Sequence, residues 1–170
     1  MKKFPKLYSA KFFHVPIKRR AMIKSMALRH WKKLNRAYKT SFMLPSIKYF
    51  KSEKSLGLSN YLNMALNHDL AKRATRKDLS FVIGHELCHS ILGLISLKIL
   101  REAKTHIKIA MKGVAYIQYL RSAKKSMSAL RRLRKSGSHG FAFKAAMNVL
   151  GLKTTRGMRW ELEEAQKKKK

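Results

Sequence analysis

Apolar residues recur every three to four positions across residues 17–40, where Ile23, Ala27, Trp31, Leu34 and Tyr38 form one stripe. That period predicts an amphipathic helix packed on a core, with Met22 and Met26 widening the stripe as filler. Residues 1–16 show no such period and are broken by Pro5 and Pro16, so an irregular basic segment is expected there. Past the helix, Pro45 closes a loop and residues 47–50 read as a short strand. Residues 51–55 form a polar turn, and 58–66 supply one or two further strands. His68 and Asp69 then read as a surface loop.

Helical spacing returns with Phe81, Val82, Leu87, Ile91 and Leu92, predicting a helix over about residues 76–96 with Asp78 as its N-terminal signal. Two basic helices follow, over residues 97–111 and 114–135, separated near Gly113. Last comes a short amphipathic helix after Gly140, ended by Gly151. The expected fold is therefore α+β and mainly helical, with about three strands. It forms one domain over residues 17–166, carrying a helical insertion at about 97–135 and a lysine tail at 167–170.

Composition narrows the partners. At 170 residues and 45% apolar, the chain can bury one core. Its lone cysteine, Cys88, excludes an intramolecular disulfide and a four-cysteine zinc ribbon, and fits a reducing, intracellular setting. No run approaches the roughly 20 apolar residues of a membrane span, and no secretory signal is visible. Forty basic residues against eight acidic ones give a net charge of +32, a field that attracts polyanions, nucleic acid foremost. Arg121, Lys124, Lys125, Arg131, Arg132, Arg134 and Lys135 are the candidate nucleic-acid contacts. Tyr116, Tyr119 and Trp160 could stack bases, although core burial is the ordinary fate of such aromatics.

One of the few acids sits in a motif. His85-Glu86-Leu87-Cys88-His89 is an HExxH pentapeptide inside the helix predicted over 76–96. Residues four apart share a helix face, so His85 and His89 can offer nitrogens to one metal ion, with Glu86 beside it as a base. Two fixed nitrogens, an open coordination position and a base make a zinc hydrolase. Cys88, between the two ligands, is expected to face the core.

A catalytic zinc usually takes a third protein ligand. Downstream stand Glu102, His106 and His139. The first two lie in a lysine-rich helical stretch where ion pairing accounts for Glu102. His139 follows the turn-like Ser136-Gly137-Ser138 and precedes a helix, so a loop delivers it. His139-Gly140, Phe143 and Leu150-Gly151 together match the spacing HGxxFxxxxxxLG. With the HExxH element, this resembles the SprT-like (Spartan-type) metalloproteases, which act on proteins crosslinked to DNA. Residues 34–38, 42–50 and 57–66 loosely resemble the first helix and the strands of that family. The resemblance implies a zincin-like fold, zinc held by His85, His89 and His139, Glu86 as catalytic base, and protein on DNA as substrate. Residues 90–138 separate the two motif elements, whereas the family's connection is short. The competing readings are a basic nucleic-acid-binding protein with a structural or vestigial metal site, and a metallohydrolase acting on a non-peptide bond.

Overall fold

The computed structural model describes residues 6–9, 11–52, 55–111, 116–135 and 139–152. Within them the fold is α+β and mostly helical, with one three-stranded mixed sheet. Trp160 and the lysine tail lie outside the described residues.

Helix α1 spans Ile17–Ala37 and buries Ile23, Met26, Ala27, His30, Trp31 and Leu34, the stripe that the spacing predicts. It stops three residues short of the expected end because Asn35 competes for the chain that follows. Its Oδ1 accepts from the Thr40 hydroxyl (2.7 Å) and the Phe42 N–H (3.2 Å). Its Nδ2 and the Trp31 indole N–H both donate to the Phe42 carbonyl, at 2.9 and 2.7 Å. These bonds turn the chain through Lys39, whose φ is 51°.

Strands β1 (Ser46–Phe50), β2 (Gly57–Ser59) and β3 (Asn63–Asn67) lie in the order β1-β3-β2. β1 runs parallel and β2 antiparallel to β3. β3 buries Met64, Ala65, Leu66 and Asn67 in succession, since both its faces and both its edges are covered. The N-terminal segment is less irregular than expected. Tyr8 exchanges two hydrogen bonds with Tyr49, at 2.8 and 2.9 Å, and so covers part of the outer edge of β1.

His68 and Asp69 do not form a surface loop; they begin a short helix, α2 (His68–Arg73). Asn67 is the cause. Its carbonyl oxygen caps the Asp69 N–H at 3.0 Å, while its Nδ2 donates to the Ser52 and Ser55 carbonyls at 2.5 and 3.1 Å. His68 stacks on Phe13 at 4.6 Å and lies 3.3 Å from the Asp69 carboxylate. Arg19 donates to the Ala71 and Ala74 carbonyls (3.0 and 2.7 Å), satisfying the end of that helix.

Helix α3 then runs unbroken over Arg76–Ala110, 35 residues or about 52 Å at the ordinary rise. Its start is a capping pair: the Thr75 hydroxyl accepts from the Asp78 N–H (3.2 Å) and donates to the Asp78 carboxylate (2.6 Å). The break expected near residue 97 is absent. Only the polar mix changes there; residues 94–110 contain no glycine or proline to stop the helix. Helix α4 (Tyr116–Lys135) folds back along α3, with the small residues Ala103 and Ala123 buried between them and Leu130 further along. Contrary to expectation, α3 is by length and composition alone able to cross a membrane, yet 56% of its apolar window is buried inside the fold.

Helix α5 (Phe141–Val149) buries Phe143, Ala146 and Met147. Gly151, with φ +73°, ends it as expected. The Gly151 N–H donates to Asn148 (2.9 Å) and the Leu152 N–H to Met147 (3.0 Å), the paired bonds of a Schellman motif.

One buried group gives the fold an acid sensitivity. His30 is 8% exposed, with its Nε2 2.9 Å from the Ser80 hydroxyl. Burial, then the Lys33 and Arg29 charges, hold its pKa below the usual 6.5, against an opposing hydrogen bond that the ring donates to Ser80. With the folded pKa depressed, the unfolded chain binds the extra proton first, as pH falls through the usual 6.5, and stability drops from there towards acid. His30→Gln should lessen the fall in Tm between about pH 7.5 and 5.5. His85 and His89 are common to both proteins, so the difference isolates His30; identical slopes would contradict a neutral buried imidazole.

Candidate metal centre

Two of the three metal candidates sit on the stiffest part of α3. Val82, Ile83, Leu87, Cys88 and Ile91 are fully buried and fix that helix against the core. His85 and His89, one turn apart, are thereby held on the adjoining face. Cys88 is part of the core as its position between them implies; burial, with the nearby Glu86 carboxylate, pushes its thiol up to about 12. It is a packing residue, not a thiolate ligand.

His139 arrives from the opposite side, two residues before α5 begins. The three Nε2 atoms form a nearly equilateral triangle: 3.2 Å from His89 to His85, 3.2 Å from His89 to His139 and 3.3 Å from His139 to His85. Phe143, one helical turn beyond His139, stands behind all three rings. Its centroid lies 4.8 Å from His85, 4.5 Å from His89 and 4.8 Å from His139. Its role as the common wall was not legible from its place in the HGxxF spacing, which shows only that it follows His139 by four.

The donor set fits a metal ion on two grounds. Nitrogens about 2.0–2.1 Å from a shared tetrahedral ion lie roughly 3.3–3.4 Å apart, close to the separations seen. Hydrogen bonding alone does not satisfy the triangle. Each Nε2 carries either one N–H or one lone pair, so three mutual contacts cannot all be well-directed hydrogen bonds. A cation satisfies three lone pairs together. On α3 the two imidazoles stay neutral near neutral pH: burial, then the His89 and His139 rings, lower His85 to about 3. Burial, then His139, lowers His89 to about 4. Three histidines on this chain are therefore close enough to hold one metal ion.

Glu86 is 4% exposed. Burial raises its carboxyl to about 7, against a hydrogen bond from the Ser59 side chain. The covering element is β2. A Cβ at Gly57 would stand 2.6 Å from the Glu86 Oε1, so only a glycine lets the strand cross the carboxylate at this distance. Neither Gly57 nor Ser59 was foreseen, because no local pattern ties a strand residue to a helix residue some 30 positions later. A carboxyl held near neutrality one residue along the chain from a candidate metal ligand is suited to take up and release a proton.

The other candidates lie elsewhere. Glu102 and His106 are on α3, and Glu102 is 13 residues past His89, roughly 20 Å along the axis. Of the nucleic-acid candidates, Arg121, Lys124, Lys125, Arg131 and Arg132 are exposed on α4. At 100° per residue they cover about a third of the circumference, opposite Ala123 and Leu130. Arg134 and Lys135 end the same helix. His139 is four positions after Lys135, so the end of α4 lies within about 14 Å of His139 along the chain.

Comparison with family models, with curated proteins and with solved structures finds no match to this chain.

Proposed function

We propose that the chain is a zinc-dependent endopeptidase of SprT-like type. The observation that carries this reading is the Nε2 triangle of His85, His89 and His139, with Glu86, the residue that follows His85 on α3, buried. Imidazole-only ligation by three residues leaves a fourth tetrahedral position for water or substrate, as catalytic zinc sites do and structural sites do not. When bound, zinc supplies a Lewis acid at that position. The rest falls to the chain. Glu86 takes the proton of the attacking water and returns it to the leaving amine, for which a pKa near 7 suits both halves of the transfer.

The substrate path is supported by β2. It pairs with β3 along one edge, and no strand among the described residues pairs with the other. A peptide laid along that edge would run beside Glu86 with its backbone hydrogen-bonded to the strand. The HExxH and HGxxF elements, together with the charge of +32, support a protein held on DNA as the substrate. In this reading the exposed cations of α4 contact phosphate, and nucleic acid is the platform on which the substrate is presented. A structural or vestigial site in a binding protein would have no use for a buried carboxyl at residue 86.

Glu86→Gln should keep its metal and lose about 10²–10⁴ of casein cleavage. Full activity in that variant would contradict the assignment, as would strand scission of nucleic acid that depends on Glu86. His139→Ala should lose most of its zinc, measured by elemental analysis, whereas Glu102→Gln should keep it. Charge reversal at Arg121, Lys124, Lys125, Arg131 and Arg132 should weaken DNA binding and flatten its salt dependence, by a slope of about 0.9 for each phosphate no longer neutralised. Cleavage of a short free peptide by that variant should be unchanged; unaltered DNA affinity would remove α4 from the interface.

A further inference from the structure

We infer that the cleft selects a large apolar or aromatic substrate side chain within two residues of the scissile bond, with Tyr61 as the specificity-determining wall. This selectivity rests on the peptidase reading above and names the substrate class it acts on.

Tyr61 stands in the turn between β2 and β3, and its ring packs against α3 at Gly93. A Cβ at residue 93 would overlap the Tyr61 Cε1 and Cδ1, closer than packed atoms approach. Any side chain at 93 would lift the ring away. The backbone next to it is tied down as well, because the Ser90 hydroxyl donates to the Asn60 carbonyl at 3.2 Å. With Gly57 and Ser59 on Glu86, the β2 edge and its turn are therefore registered on α3 from residue 86 to residue 93.

That register places the ring. Residues 85, 89 and 93 follow one another at four-residue steps along one side of the helix, so Tyr61 stands one turn, about 6 Å, beyond His89. An extended peptide advances about 3.3 Å per residue. A substrate cleaved at the histidine triangle thus brings the side chain one or two residues from the cleaved bond to the tyrosine. Tyr61 packs on Gly93 and is still 48% exposed, so it retains surface to offer. Phe141, two residues after His139, is 64% exposed and adds a second aromatic group near the triangle. The protein around them is cationic, with 40 basic residues to 8 acidic ones. Recruitment through charge and choice of the bond are in this way assigned to different groups: phosphate or acidic partners meet the lysines and arginines, while the cleaved segment meets an aromatic wall.

The test is a panel of quenched fluorescent peptides in which each of the two positions either side of the bond is varied among Phe, Leu, Ala, Glu and Lys. The zinc-loaded full chain is compared with Tyr61→Ala, Tyr61→Phe and Gly93→Ala, each checked for zinc content and Tm. The wild type should favour Phe or Leu over Ala and Glu at one of these positions. The ratio of kcat/KM for Phe over Ala there should fall by roughly 10-fold or more in Tyr61→Ala, the size expected when an apolar pocket wall is removed. Tyr61→Phe should keep the ratio, and Gly93→Ala, which displaces the ring, should lose it at full zinc occupancy. A flat wild-type profile overturns the inference, as does an equal loss on every peptide in Tyr61→Ala. If Tyr61→Ala fails to fold, the Gly93→Ala profile decides in the same two ways. Cleavage that depends on Glu86 but shows no side-chain preference sinks the selectivity alone; absence of any Glu86-dependent cleavage sinks the peptidase reading with it.

Discussion

Three imidazole Nε2 atoms within 3.3 Å of one another are the constraint around which this molecule is arranged. Such a cluster is unfavourable unless something compels it, because neutral nitrogens at that range cannot all find protons to share. Two structures compel it here. The first is α3, whose buried face of Val82, Ile83, Leu87 and Ile91 leaves His85 and His89 no freedom to part. The second is α5, which delivers Phe143 against all three rings and so carries His139, four residues earlier, into place. Removing Phe143 would leave a void behind the triangle as well as an unsupported ring.

Electrostatics sort the rest of the chain. Acids are scarce, yet one of the eight is nearly fully buried, and its ionisation is held back by that burial. Among the described residues, Arg121, Lys124, Lys125, Arg131 and Arg132 take the opposite course and are exposed, gathered on the face of α4 away from the seam with α3. A neutral, dry centre and a cationic exterior therefore coexist in one domain. β2 joins the two halves of the site, crossing the Glu86 carboxyl at Gly57 and reaching Gly93 through Tyr61.

Much of this was legible in the chain. The α1 stripe, strand 47–50, the helix bearing His85 and His89, and the helix ended by Gly151 all follow from local period and turn chemistry. What escaped has one cause: it depends on residues distant in sequence. The continuation of α3 to Ala110 is stabilised by α4 lying along it, and a change from apolar to lysine-rich pattern looked like a boundary. α2 exists because Asn67 caps it while bonding the Ser52 and Ser55 carbonyls, a double role that composition cannot show. The same applies to the site. The spacing of His85, Glu86 and His89 is local and readable, whereas Gly57 meets Glu86, and Tyr61 meets Gly93, only when the sheet packs on the helix.

X-ray absorption at the zinc edge reads the coordination shell itself. Purified protein should carry about one zinc per chain, with three imidazole nitrogens and one oxygen at roughly 2.0–2.1 Å. A metal-free protein that does not take up zinc would contradict the account, as would a zinc shell lacking three histidines.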